Sequence, residues 1–504
     1  MQLQEVILCS ASSQQHNAGL GAITIHDIQT GATLASFKQT NAASRSVAVL
    51  ESTSVQGGVI LAAQTDKTVL NVYNFQKDQL ALKIILPEKL SCIAFDKVGN
   101  FCAAGTAQGR VYLWETSSGI LFNCWDAHYR QVNVLRFTSD GAALLSGGDD
   151  SAVSVWSVSR LLNNEQQVEL PTPYYTLSDH TLPITDIVCG IGAFPNCRVL
   201  TSSVDHSVKV WDLATKTLLS TFEFPQSMSL LAWDITERFF FAASEKGSVY
   251  KINLFRQKAG VSGQASAAVG GSGANDVMRI ENDIIEAQKK RLIQVGQPIG
   301  SMTLSLASNL LLLGTVEGQI LIYDVASQQH VRSFTAQKGL SVSYITTMMK
   351  PPDLIGHVNL DFRVGSSADL KDTIPVKPIV AFNRVRDAKA RDAHEVLIMT
   401  KNRTSNPIDY CNFYESDEFL AEHSSFVQPI MSPESSKSSV ASLQTRIQDL
   451  EAETERLRKQ LGQAKGVNDA MWDTVVQQLV TQNKNGTDDD KSEQPSRKRG
   501  RVTT

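Results

Sequence analysis

Two sets of residues carry the side chains of a nucleophilic relay. They are His128, Ser146, Asp150 and Trp156, then His180, Thr201, Asp205 and Trp211. Hydroxyl, imidazole and carboxylate could form a charge-transfer triad. Two features argue against catalysis. Each set includes a Trp six residues after the Asp, and the whole set occurs twice. A triad has no reason to recur with a structural repeat. A hydrogen-bond chain from indole N–H through hydroxyl and imidazole to carboxylate does, because buried polar groups need partners. The sets therefore read as tetrads stapling strands together, and no catalytic residue is assigned. No phosphate-cradling G-x-x-x-x-G-K, no H-E-x-x-H and no nucleophile elbow occurs. The seven cysteines (9, 92, 102, 124, 189, 197 and 411) form no C-x-x-C spacing, so neither a metal nor a cofactor is expected. Their odd number, without a leader-like start, suits a reducing compartment.

The elements that would position these side chains repeat. Tyr73, Trp114, Trp156, Trp211, Ile252 and Tyr323 each close the third strand of a unit. Most lie close to the 40–45-residue spacing of a propeller blade. A longer loop at 161–175 and an insertion after Ile252 account for the wider gaps. Asp140-Gly141, Gly99 and Gly109 supply turns between strands. The first unit, EVILCSA with GAITIHDI and ATLASFKQ, lacks its opening strand, while LSVSYITTMM (340–349) is a strand without followers. Pairing the two closes a ring and removes two exposed sheet edges. The expected fold is all-β, a seven-bladed propeller over 1–350. Gln108 and Glu317 stand where other blades would carry the tetrad Asp. Blades four and five, with complete tetrads, should be the most rigid.

The openings Ala127-His128 and Asp179-His180 and the dipeptide Trp211-Asp212 resemble WD40 repeats, although Trp114-Glu115 and Trp156-Ser157 depart from the consensus. The layout is also similar to one family, the WD-repeat subunit of the rixosome. The resemblance lies in EVILCS at the start, HDIQTG soon after, an insertion following blade six and a C-terminal heptad helix. It implies a non-catalytic scaffold of a nuclear complex that matures pre-60S ribosomal particles and removes the second internal transcribed spacer. The implied partners are the helical scaffold subunits of the rixosome, the pre-60S particle and the AAA ATPase midasin.

Outside the repeats, the Gly/Ala/Ser-rich stretch 256–275 reads as a flexible linker. A helix is expected to follow it, within an insertion spanning 256–295. Val277, Ile280, Ile284 and Ala287 would share one face, packed on the rim or docking a partner. Residues 351–436 lose the repeat and read as an irregular partner-binding extension, with strands packed on the propeller as the other reading. Within it, NRVRDAKARD mixes charges like a solvated face.

A coiled coil is expected over 437–482. Val440, Ile447 and Leu461 fall at a; Leu443, Leu450 and Leu457 fall at d. Arg446 can meet Glu451 and Glu453 can meet Arg458 across a parallel seam, predicting a homodimer. Gly462 and Gly466 should weaken the helix, leaving Met471, Trp472, Val475, Val476 and Leu479 for a separate docking helix. The tail 483–504 reads as disordered, and its Arg497-Lys498-Arg499 resembles a nuclear-import signal.

Over 504 residues the net charge is −4, so no bulk field attracts nucleic acid, and no apolar run is long enough to span a membrane. A scaffold is therefore the leading expectation. The alternative is a WD40 adaptor on chromatin or nucleic acid, for example in DNA replication or chromatin silencing.

Overall fold

A computed structural model describes residues 4–13, 21–38, 40–53, 56–162, 171–260, 263–268, 277–280, 292–354, 376–382 and 436–485. The chain forms two compact units, Met1–Lys401 and Asn402–Thr504.

The first unit is a ring of seven antiparallel blades. Blade one joins the two ends of the repeat region. Ser341–Met349 is its innermost strand, followed outward by Glu5–Ser12, Ala22–Asp27 and Thr33–Lys38. Glu5 pairs with Met349 and Ser12 with Ser341, so the closing strand is engaged from end to end. Both strands are largely buried, and Val6, Ile7, Leu8, Val342, Ile345 and Met348 add apolar core to the pairing, between buried hydroxyls such as Ser10, Ser343 and Thr347. Closure thus seals core as well as hydrogen bonds.

The tetrads sit in neighbouring blades. Blade four consists of Val132–Phe137, Ala143–Gly148, Val153–Ser157 and Tyr175–Leu177. Blade five consists of Ile184–Cys189, Arg198–Ser203, Ser207–Asp212 and Thr217–Glu223. Between blades, the core alternates as each sheet offers one face to the next. Trp156 packs with blade three residues such as Trp125 and Leu113, while Trp211 packs with Val155 and Leu145 of blade four. Gly109 shows why one turn needs glycine. Its φ is +89°, and a Cβ there would lie 2.0 Å from the His128 carbonyl oxygen.

The insertion after blade six differs from the sequence expectation in two ways. Instead of a linker, Phe255–Gly260 and Gly263–Ala268 pair as an antiparallel hairpin. Its pairing is backbone hydrogen bonding, to which the Gly/Ala/Ser composition is no obstacle. The expected helix does not begin at 277. Val277–Arg279 is a short strand paired in parallel with Thr221–Glu223, and Leu292–Gln294 is the outer strand of blade six. Blade five offers an open edge with unsatisfied backbone groups, and Met278 and Ile280 pack on the adjoining core. Local periodicity cannot register such a tertiary demand. Residues 281–291, the rest of the expected helix, lie outside the described residues.

The extension after blade one is partly seated on the propeller. Leu354 is buried, and Ser52 Oγ donates to Asp353 Oδ1 at 2.6 Å. Val376 makes a parallel bridge with Gly57, and Val380 N donates to Thr116 O at 3.1 Å. Lys377 Nζ reaches Val98 O at 2.7 Å and Asn100 Oδ1 at 2.9 Å. Phe382 ends this strap buried among residues of blades two and three. The stretch NRVRDAKARD, from 383 to 392, lies outside the described residues.

The second unit contains one unbroken helix, Ser436–Asn485. It does not stop at Gly462 or Gly466, so no separate docking helix follows. Both glycines face open space. Each costs about 1 kcal/mol relative to Ala, too little to break a helix this long. The tail beyond Asn485 lies outside the described residues.

Candidate functional site

The structure brings each tetrad together. In blade four, Trp156 Nε1 donates to Ser146 Oγ at 3.0 Å. His128 Nε2 lies 2.8 Å from the same oxygen. His128 Nδ1 meets the Asp150 carboxylate at 2.9 and 3.1 Å. Tyr129 N also donates to Asp150, at 3.1 Å. In blade five, Trp211 Nε1 donates to Thr201 Oγ1 at 2.9 Å, His180 Nε2 lies 2.8 Å from it, and His180 Nδ1 lies 2.9 Å from Asp205.

With a neutral imidazole, proton inventory sets the direction of both chains. Indole is donor only, so the hydroxyl accepts from it and donates its own hydrogen to imidazole Nε2. The remaining ring N–H at Nδ1 then donates to the carboxylate. Ser146 and Thr201 are fully buried, and each oxygen already accepts from an indole. Neither presents a nucleophile to a substrate. The chains fasten the second and third strands of a blade to the loop that enters it. Burial pushes the Asp150 and Asp205 carboxyls upward. Hydrogen bonds and the adjacent imidazoles outweigh it, and both carboxyls end below the ordinary carboxylate range.

Strand register explains why other blades lack the device. Trp156 pairs with Leu144 and Trp211 with Val199, which places Ser146 and Thr201 two residues further along. The equivalent partners of Tyr73, Trp114, Ile252 and Tyr323 are Ile60, Cys102, Phe240 and Leu311. Two residues on, these blades have Ala62, Ala104, Ala242 and Leu313. Without a hydroxyl the chain cannot start. In blade three a stack of rings takes its place. Tyr112 lies 5.2 Å from Trp114 and nearly parallel, and Phe382 covers the other aromatic contact of Trp114, also at 5.2 Å.

The axial channel opens into a cavity of about 1460 Å³. Its wall includes Arg45, Asn133, Asp149, Thr185, Glu245 and Ser343. Arg45, on an inner strand of blade two, has φ +62°. Its guanidinium crosses the ring to donate to Ser229 O at 3.0 Å and lies 3.9 Å from Asp186. Arg136 approaches the same Asp186 oxygen at 3.8 Å, while Leu231 N donates to the other at 3.0 Å. This bracing of blade two against blades five and six has no local sequence signal, because it depends on ring geometry. No group of three or more His, Cys, Asp or Glu arranged to hold a metal occurs among the described residues.

On the C-terminal helix the predicted seam is exposed where side chains are described. Ile447, Leu450, Leu457 and Leu461 are 55, 53, 56 and 72 % exposed. Val440 and Leu443 occupy the first turns of the same helix. No described helix is long and apolar enough to cross a membrane.

Comparison with known proteins agrees with this architecture. The family model described as "WD domain, G-beta repeat" matches residues 171–212, which contain the blade-five tetrad. A second, described as WDR54, matches residues 54–171. The Pre-rRNA-processing protein IPI3 of Mycosarcoma maydis is 32% identical, the match covering 95% of this chain and 97% of the relative. WD repeat-containing protein 18 of Homo sapiens is 31% identical over 71% of this chain and 76% of its own length. Pre-rRNA-processing protein crb3/ipi3 of Schizosaccharomyces pombe is 28% identical over 68% of this chain and 78% of its own. A match near one third identical that runs through propeller, insertion, extension and helix is family membership: the chain is a WD40-propeller member of the IPI3 family of pre-rRNA-processing proteins.

Proposed function

We propose that this protein is a non-catalytic scaffold subunit of a nuclear complex that matures the pre-60S ribosomal particle, including removal of the second internal transcribed spacer. The observation that carries the reading is the near end-to-end similarity to a pre-rRNA-processing protein. The buried, indole-capped hydroxyls of the tetrads support a role without chemistry. In this reading the propeller holds helical subunits of the rixosome, and the assembly meets the pre-60S particle and the AAA ATPase midasin in the nucleoplasm and nucleolus. The apolar stripe of the C-terminal helix, exposed at Ile447, Leu450, Leu457 and Leu461, brings two copies together, with Val440 and Leu443 continuing it in sequence.

The test combines depletion with purification. Loss of the protein should accumulate precursors that retain the second internal transcribed spacer, read on RNA blots. The tagged protein should recover the helical subunits, identified by mass spectrometry. Unaltered precursors together with an unrelated set of partners would sink the proposal.

A further inference from the structure

One mouth of the axial cavity is ringed by the loops that enter the blades and by the turns between their second and third strands. Pro183 and Pro298 come from entry loops, Val204 and Glu245 from turns, and all four line the cavity. Among the described residues of these loops and turns, the exposed large apolar side chains fall together. Tyr129 is 98 % exposed, Leu182 45 % and Val204 39 %. Tyr129 lies on the loop entering blade four, Leu182 on the loop entering blade five, and Val204 on a turn of blade five.

These are the two blades with complete tetrads, and the tetrads hold the same loops. Tyr129 follows the tetrad His128, and its backbone N–H donates to Asp150 at 3.1 Å. Leu182 stands two residues after the tetrad His180, and Thr181 N between them donates to Asp205 at 3.2 Å. Ser203 Oγ donates to Leu182 O at 2.8 Å, and Val204 N donates to Pro183 O at 3.0 Å. An exposed side chain on so fixed a backbone loses little freedom when a partner covers it. Tyrosine in particular offers a large apolar face with few rotatable bonds.

The charge of the cavity says what that partner carries. Among the described residues, its charged lining is Arg45, Asp66, Lys67, Asp149 and Glu245. Arg45 is already committed to Ser229 O and Asp186. Three carboxylates then face one ammonium in a well walled by protein, where field lines concentrate. Such a well repels phosphate, which disfavours nucleic acid, and draws in a cation. A long basic side chain can reach into it while its own backbone stays outside, on the apolar ledge. Arginine suits the well best, because its donor fork matches a carboxylate.

We infer that this face binds an extended peptide of a partner protein, with an arginine or lysine side chain in the axial cavity near Asp149 and Glu245 and a neighbouring apolar side chain on Tyr129, Leu182 and Val204. The site belongs to the propeller alone and does not depend on the ribosomal role or on the C-terminal helix.

The full chain is panned against a phage-displayed library of random linear peptides, and enriched peptides are synthesised and titrated by calorimetry. The expected motif pairs an arginine or lysine with an apolar residue close by. Replacing the basic residue by glutamine should weaken binding about tenfold. Asp149→Asn combined with Glu245→Gln should weaken the same peptide about as much. Asparagine keeps an oxygen where Asp149 accepts from Asn133 at 2.6 Å, so the turn is preserved. Tyr129→Ala, which retains the backbone N–H to Asp150, should also cost about tenfold. Lys67→Gln removes the opposing charge and should tighten binding about threefold, a gain that no misfolded variant can produce. Enrichment of acidic or purely apolar peptides, no enrichment at all, or affinities unchanged in the carboxylate and Tyr129 variants would overturn the assignment. So would an RNA oligonucleotide that binds with the same dependence on Tyr129.

Discussion

Phe382 lies against Trp114 with ring centroids 5.2 Å apart and planes only 9° from parallel. The two residues come from different parts of the architecture. Trp114 closes the third strand of blade three, and Phe382 ends the strap that returns from the extension. Blade three has Ala104 where a tetrad would need a hydroxyl. An aromatic stack therefore secures the Trp that hydrogen bonds secure in blades four and five.

Phe382→Ala should lower propeller stability by about 3 kcal/mol, at the lower end for a buried aromatic because the strap can pull away. Thermal melts of the full chain measure this. A chain ending at residue 350 should melt below one ending at 382. Equal melting temperatures would mean that the strap is not part of the cooperative unit.

Trp156→Phe and Asp205→Ala each leave a buried polar partner unpaired and should cost roughly 1–3 kcal/mol. Native-state hydrogen exchange should also accelerate in blades four and five, where protection is expected to be highest in the wild type. Denaturant midpoints unchanged within error in both variants would contradict the stapling role.

Hydrogen bonds from the tetrad histidines and neighbouring groups outweigh burial and hold the Asp150 and Asp205 carboxyls below the ordinary aspartate value. Their contribution to stability is complete above that value. It is lost as pH falls through the lower folded-state values, because the unfolded chain then binds protons more readily. Acid unfolding should therefore steepen below about pH 4. In Asp205→Ala the steepening should be weaker, as followed by tryptophan fluorescence. An identical acid profile would remove these carboxylates as a cause.

Ile447→Asp combined with Leu450→Asp places charges at mid-seam with no partner to neutralise them. Light scattering should then show one copy instead of two, with the propeller melting unchanged. Wild-type protein that is already monomeric at micromolar concentration would refute self-association through this helix.

Ring closure was legible because strands can be counted: one unit lacked a first strand, and Leu340–Met349 had no unit. The tetrads were legible because two copies of one spacing exclude coincidence. The insertion was misread for a physical reason. Val277 and Ile280 fit a helical face as sequence, but their conformation follows from the unpaired edge at Thr221–Glu223, which exists only once blade five has formed. The strap was half legible: packing on the propeller was one of two readings of the extension, but its path was not. VKPIVAF has no period of its own, and its groove is assembled from blades two and three. Arg45 reaches Ser229 across 184 positions of sequence, beyond any local pattern.

The joining of Ser341–Met349 to Glu5–Ser12 also sets a schedule. Ser343 donates to Ser10 O across 333 residues. At ~5–20 residues per second of synthesis, the N-terminal strand waits on the order of 20–60 s for its neighbour to leave the ribosome. Throughout that interval its apolar edge is a template for pairing with any other nascent chain. Production of this protein should therefore depend on a chaperone that shields the first blade during translation, and a circular permutant opened between blades should depend on it less.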